Sequence, residues 1–486
     1  MHEASETEPV AMAPGTENDV DATNRLAAAL GVLQQRFGAR FATGASIREQ
    51  HAHTLTWLAG QPPDAVIWPQ STQEVVEIVK IAGRYRLPVI PFGAGTSLEG
   101  HVNAPGGGVS LDFSQMNKIL SVNDRDLDCV VEAGVTRKQL NDYLHDMGLF
   151  FPVDPGAEEA TIGGMAATRA SGTTAVRYGT MRENVLAMTV VMADGSIVKT
   201  ARRARKSSAG YDLTRLMVGS EGTLGVMSEL AVRVYGIPEV TLAASCPFKS
   251  MQGACEATIQ AIQIGLGIAR IELLDELQIM AVNKYSKTSF DEVPTLFLEF
   301  HGTAVGARDQ VNEFKRIADE EGALRFDWAE HEEDRRALWK ARHEAYWAAK
   351  TTWPGKGVFA TDVCVPISRL ADCIVATQAD IRAHELIAPI VGHVGDGNFH
   401  CLVVVDMQDS DAVAAGKAFS DRLVERALAM DGTCTGEHGI GQGKARYLEV
   451  EHGAGVAVMR QIKQALDPQG ILNPGKIWSD RPAKKT

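Results

Sequence analysis

Pro91-Phe-Gly-Ala-Gly-Thr-Ser97 follows the apolar run Leu87-Pro-Val-Ile-Pro91, and the same texture recurs downstream. Asp154-Pro-Gly156, Thr161-Ile-Gly-Gly164, Ser171-Gly172 and Tyr178-Gly179 crowd together, and Gly219-Ser-Glu-Gly-Thr-Leu-Gly225 comes next. A strand that opens into a loop of glycines and hydroxyls can turn its amides toward one point, a nest suited to a diphosphate. The loop is not the Rossmann fingerprint, because Gly106-Gly-Gly108 falls where a helix should begin. Nor is there a P-loop: Gly443-Lys444 is followed by Ala445, and His438 holds the position where that motif needs glycine. The first loop alone is weak evidence for phosphate binding. The series as a whole suits a long ligand threaded through backbone.

The rest of the composition narrows the class. A chain of 486 residues exceeds one compact core and implies two or three lobes. Its 45% hydrophobic and 22% charged residues are those of a folded protein, not a disordered one. The net charge of −13 argues against a general nucleic-acid partner, which would need clustered cations. Seven scattered cysteines form no CxxC pair, as expected for reduced thiols in the cytoplasm. The acidic start Met1-His-Glu-Ala-Ser-Glu6 reads as neither a secretory signal nor a presequence. No window reaches the roughly 18 apolar residues of a membrane span. The expectation is a cytoplasmic protein without an integral membrane segment, with peripheral contact left open.

Along the chain, residues 1–20 read as a flexible tail, and a helix begins near Asp21 with Leu26, Leu30 and Leu33 on one face. Ala65–Trp68 is a strand, and Ser71-Thr-Gln-Glu74 a capping box opening a helix that places Val75, Val79 and Ala82 together. Strands at Val109–Phe113 and Asp128–Ala133 and a helix at Arg137–Met147 follow. The expected units are an N-terminal lobe over 21–238, a second lobe over 239–440, and a helical C-terminal segment over 441–486.

The ordered motifs PFGAGTS, DPG…TIGG, SG…RYG and GSEGTLG resemble the FAD-binding domain of vanillyl-alcohol oxidase type flavoproteins, from about Asp64 to Val234. The resemblance implies an α+β fold: a two-subdomain FAD-binding domain plus an α+β substrate (cap) domain with an antiparallel sheet. It assigns cofactor binding to Pro91, Phe92, Gly93, Ala94, Gly95, Thr96 and Ser97, which would wrap the pyrophosphate. Pro155, Gly156, Thr161, Gly163, Gly164, Ser171, Gly172, Tyr178 and Gly179 would line the flavin further along. So would Glu221, Gly222, Gly225 and Val226, with Asn473 joining from the C-terminal end. Some members tether the flavin through a histidine in or near the first loop. Here that loop has none and His101 lies beyond it, so FAD is expected to be non-covalent.

Val391-Gly-His393-Val-Gly-Asp-Gly-Asn-Phe-His400 reads as a hairpin with Asp396-Gly397 as a two-residue type I′ turn. Counting outward pairs His393 with His400 on one face, within reach of one metal ion; a plain buried pair is the competing reading. In Gly436-Glu437-His438-Gly-Ile-Gly441, Glu437 would complete a two-His, one-carboxylate set with open positions. His438 is then the natural general base, or else a third ligand. No HExxH pattern occurs, so a zincin protease is unsupported.

GHVGDGNFH and GEHGIG, with the terminal LDPQGILNPGK, resemble the D-2-hydroxy-acid dehydrogenase branch of these flavoproteins, including its D-lactate dehydrogenases. The likeness extends back through Leu338–His343 and Thr361–Pro366, covering about residues 50–478. It implies that His393, His400 and Glu437 bind a divalent metal, Zn or Mn, and that His438 takes the substrate hydroxyl proton. Arg342, read as helical with Trp339 and Tyr346 on its face, becomes the carboxylate clamp. Relatives acting on dicarboxylates carry a further basic residue before Asp362; Val358-Phe-Ala-Thr361 offers none, which favours a monocarboxylate such as D-lactate. D-2-hydroxyglutarate and glycolate remain alternative substrates. A metal-dependent hydrolase with structural glycine loops, or a non-catalytic flavin subunit, are the alternatives of other classes. The electron acceptor would be a cytochrome, a quinone, an electron-transfer flavoprotein or oxygen, and no short motif selects among them.

Overall fold

The computed structural model describes residues 16–329 and 331–478. Its first helix runs Thr16–Phe37. It starts five residues earlier than expected, so part of the presumed tail is helical, and residues 1–15 lie outside the described residues. Ser71 caps the helix Thr72–Tyr85 by accepting from the Glu74 amide. The expected capping box is only half formed, because the Glu74 carboxylate turns to Arg40 at 2.5 and 2.6 Å instead. Val75, Val79 and Ala82 share the buried face of that helix, and Arg86 ends it in the left-handed conformation (φ 53°).

Two small sheets frame the N-terminal half. One has strands in the order Phe41–Ala42, Ala65–Ile67, Val109–Asp112, Val89–Phe92, with the last three parallel. Parallel pairing directs the end of Val89–Phe92, and the glycine loop after it, toward the second sheet. That sheet is antiparallel and five-stranded, ordered Ile119–Asn123, Asp128–Glu132, Val226–Arg233, Val185–Val191, Ile197–Lys199. A continuous core from Ala29 to Leu472 joins the two sheets.

The second half is built on an eight-stranded sheet whose central strands are Val240–Pro247, Thr295–Gly302, Ile268–Leu274, Ile390–Gly392 and Asn398–Val405. One face, with Ile271, Leu273, Phe399 and Val403, packs in an apolar core with Phe314 and Phe419. The other face is apolar at Leu274, Phe297, Val391 and Leu402. Near the first lobe it carries charge instead: Arg270, Glu272, Glu299, His393 and His400 are on the same alternation. Buried polar residues on one sheet face need partners, and here they find one another. The C-terminal segment returns to the first lobe, where Leu472 bridges Val89 in parallel and the Asn473 amide donates to the Val89 carbonyl.

Among the described residues no helix is long and apolar enough to cross a membrane. All seven cysteines are unpaired.

Candidate active site

A cavity lies between the glycine loops and the turn that carries Glu437 and His438. Pro91, Gly93, Ala94, Gly95, Thr96 and Ser97 line it, with Pro155, Thr161, Gly164, Ser171, Glu221, Gly222 and Asn473. An adjoining smaller cavity takes in Phe92, Gly163 and Gly225. The lining follows from local structure. Thr161 is the N-cap of Ile162–Thr168 and accepts from the Gly164 amide. That brings Thr161 so close to Gly93 that a Cβ there would sit 2.3 Å from its Oγ1.

The remaining loop residues support the cavity from behind. Val226 pairs with Val191 inside the second sheet. Gly179 packs on Glu183. The Tyr178 hydroxyl turns away to His301 Nδ1, 2.7 Å distant. Gly156 and Gly172 belong to the turn around Asp154, and the Gly156 amide donates to that carboxylate at 3.2 Å. Gly172 has φ +121°, and a Cβ there would lie 1.7 Å from the Asp154 carbonyl oxygen. Gly172→Ala is therefore expected to lower stability by about 2–5 kcal/mol, combining overpacking with left-handed strain. It should also weaken flavin retention, read as a fall in Tm and in the yellow absorbance of the purified protein.

The cavity fits FAD on its own features. The buried Ser97 Oγ and Asn473 Oδ1 have no hydrogen-bond partner among the described residues, and both belong to the lining. Leu98, His101, Met165 and Thr168 also line the cavity, and sequence reading had not assigned them. Of these, only His101 carried a signal, as an imidazole just past the first loop.

Glu437 and His438 complete the same cavity. His393 Nε2 and His400 Nε2 both face Glu437 Oε1, at 3.1 and 3.2 Å, so the three donors converge. The hairpin that brings them together differs from the expected one. Val391 pairs with His400, two positions off the predicted register. A 3-10 turn, Val394–Asp396, and Gly397 at φ 78° replace the two-residue turn. The imidazoles still meet, with ring centroids 5.4 Å apart, because the loop folds His393 back over the strand. The donor set suits a divalent metal, and Glu437 Oε2 is buried without a hydrogen-bond partner among the described residues.

The electrostatics match that reading. Burial opposes the charged form of His393, but the carboxylates of Glu272 and Glu437 outweigh it and push the imidazole up to about 10. Burial likewise opposes ionisation of Glu437, yet His393 and His400 hold its carboxyl well below the usual range. A proton thus sits where a cation would bind. His438 differs: burial pushes its imidazole down to about 4. It stacks on His400 at 5.0 Å with the rings 5° from parallel, and its Nδ1 has no partner among the described residues.

Two carboxylates assigned no such role from sequence hold the turn that carries Glu437 and His438. Asp362 accepts from both of their backbone amides at 3.0 Å, from Thr435 at 2.7 Å and from Lys444 at 3.3 Å. Glu221, expected from the family likeness to line the flavin, accepts from Ile440 at 2.7 Å and Gly441 at 2.9 Å. Asp362 reaches in from the second lobe and Glu221 from the first, so the turn is clamped by both.

Arg342 does not line the cavity. It ends the helix Glu332–His343; a break at Glu344 puts Tyr346 on the next helix, Ala345–Thr352, not on the face expected. The Arg342 side chain donates to Glu272 Oε2 from Nε at 2.7 Å and from Nη2 at 2.6 Å.

Comparisons with known proteins agree with this architecture. A family model described as an FAD binding domain matches residues 63–201, and one described as FAD linked oxidases, C-terminal domain, matches residues 237–477. The chain belongs to the FAD-linked oxidases. It is 52% identical over 438 residues to the Danio rerio protein named "Probable D-lactate dehydrogenase, mitochondrial", covering 89% of this chain and 88% of that one. A mitochondrial cytochrome-type D-lactate dehydrogenase of Arabidopsis thaliana is 45% identical, over 85% of this chain and 73% of that one. The structure of p-cresol methylhydroxylase superposes with a TM-score of 0.77 at 16% identity, covering 94% of this chain and 97% of that one. That last likeness is one of fold, the vanillyl-alcohol oxidase type. The hydrolase alternative falls, since the glycine loops belong to a flavin domain.

Proposed function

We propose that the protein oxidises a D-2-hydroxy monocarboxylate, D-lactate foremost, to the 2-oxo acid. FAD is held non-covalently in the glycine-lined cavity, and a Zn or Mn ion by His393, His400 and Glu437. The observation that carries the reading is that His438, its Nδ1 without a partner among the described residues, lines the same cavity as Glu437, on which His393 and His400 converge. When bound, FAD supplies a hydride acceptor and the ion a Lewis acid that eases ionisation of a hydroxyl.

The chain itself must position the acid and take its hydroxyl proton. His438 is neutral near pH 7 and accepts that proton. Buried Asp362, held ionised chiefly by Lys444 against its own desolvation, favours the imidazolium that forms. Arg342, held to Glu272 through Nε and Nη2, is the cation that the family likeness offers for the substrate carboxylate, from outside the cavity lining. Val358–Thr361 adds no second cation, which favours lactate over a 2-hydroxydicarboxylate. The reoxidising partner is an external carrier: a cytochrome, a quinone or an electron-transfer flavoprotein. Seven unpaired cysteines suit a reducing compartment such as the cytosol.

Anaerobic mixing of the FAD-loaded protein with D-lactate, L-lactate, glycolate and D-2-hydroxyglutarate tests the reading. D-lactate is expected to bleach the flavin fastest. No bleaching by D-lactate overturns the substrate assignment, and faster bleaching by another acid reassigns it.

A further inference from the structure

We propose that Glu272 is a positioning residue that ties the metal ligand His393 to the carboxylate clamp Arg342, so that metal affinity and substrate binding depend on one buried carboxylate. The inference rests on the function proposed above and assigns a role to a residue outside every motif.

Glu272 is the one carboxylate in the strand Ile268–Leu274, and it is 0% exposed. An ionised carboxylate in that position persists only when paired. The register supplies the partner: Leu273 lies opposite Gly392, and one further step along the strands sets Glu272 opposite His393. Cross-strand partners share a face. The His393 Nδ1–H accordingly donates to both Glu272 oxygens, at 2.8 and 3.0 Å. This fixes the tautomer and turns Nε2 to the converging donors, as a carboxylate behind a ligating histidine does. His400 Nδ1 is hydrogen-bonded to the Thr361 carbonyl at 3.0 Å, and the Asp362 carboxylate lies farther off at 3.6 Å. The two imidazoles are thus supported unequally: a carboxylate is hydrogen-bonded directly to His393 and only close to His400.

The same carboxylate receives two hydrogen bonds from Arg342. A substrate carboxylate that engages Arg342 shares the guanidinium with Glu272, and Glu272 answers through His393. Neutralising Glu272 therefore has two separate consequences. His393 loses the anion that raises its basicity toward a cation, and Arg342 loses the anchor that aims it. A merely structural ion pair would affect neither quantity and would show only in thermal stability.

The test uses the full-length FAD-loaded protein as wild type, Glu272→Gln and Glu272→Asp. After chelation, Zn²⁺ alone and Mn²⁺ alone are titrated against a chromogenic competitor. KM and kcat for D-lactate are then measured at saturating metal, with Tm and flavin retention alongside. Glu272→Gln is expected to weaken metal binding about 10–100-fold and to raise KM more than it lowers kcat. Glu272→Asp, which keeps the charge on a shorter arm, is expected to recover part of the metal affinity. Metal affinity and KM within twofold of wild type in Glu272→Gln overturn the proposal, even if Tm falls. Should Glu272→Gln fail to hold FAD, Glu272→Asp decides, and unchanged affinity and KM there overturn it equally. A wild-type protein that takes up neither ion overturns both this inference and the metal reading of the site. Binding by wild type with no change in the variants overturns this inference alone.

Discussion

His438→Ala is expected to lower kcat for D-lactate by about 10²–10⁴-fold, the usual contribution of a positioned general base, while FAD stays bound. His438 is one of many residues that line the cavity, and the glycine loops that line most of it come from the N-terminal half of the chain. Removing the imidazole therefore removes proton transfer without removing the flavin site. The pH profile gives a second reading. The base works unprotonated, so rate is lost as pH falls through its pKa. Burial places that pKa near 4, below the 6.5 of an ordinary histidine. The acid limb of kcat/KM should accordingly lie below pH 5, and His438→Ala should erase it. Near wild-type turnover in the variant, or an unaltered acid limb, would sink the base assignment.

Glu437→Gln is expected to weaken divalent-metal binding by about 100-fold or more, above the range for supporting residues, and to abolish turnover at ordinary metal concentrations. Glu437 is the only anion among the three converging donors, and both imidazole Nε2 atoms face its Oε1. Without an ion, His393 holds its proton up to about pH 10, so a cation must displace that proton to bind. Metal affinity should then rise with pH across the neutral range, by roughly tenfold per unit for one displaced proton. Extensive dialysis against chelator should remove activity but not flavin colour, and added Zn²⁺ or Mn²⁺ should restore it. Full activity in a protein shown by elemental analysis to be metal-free would contradict the assignment. So would metal affinity that does not change with pH.

How much of this was legible in the chain differs by region. The first glycine loop and Thr161-Ile-Gly-Gly164 could be read directly, since a strand end, an N-cap and close backbone approach act over a few residues. The helix Thr72–Tyr85 was likewise written in its apolar spacing and its Ser71 cap. The hairpin was misread in detail. Asp396-Gly397 has the composition of a two-residue turn, yet Gly397 packs where a Cβ would meet the Val365 carbonyl at 2.1 Å. That contact with a neighbouring strand selects the longer turn. The Arg342 helix was read too long, because the break at Glu344 is not marked by glycine or proline.

The glycine-rich motifs determined that this chain carries an FAD-binding domain, and the spacing of His393, His400, Glu437 and His438 marked the candidate metal site, because those signals are short-range and each motif carries its own backbone geometry. Only the tertiary structure decided which carboxylates govern the site. Glu272 reaches His393 across 121 positions of sequence, Asp362 reaches the His438 amide across 76, and Glu221 reaches Gly441 across 220. None of those acids is marked in the sequence for the role it takes here. Each acquires its role when sheet register and lobe packing bury it against a specific donor, and a buried charge is kept only where such a donor exists.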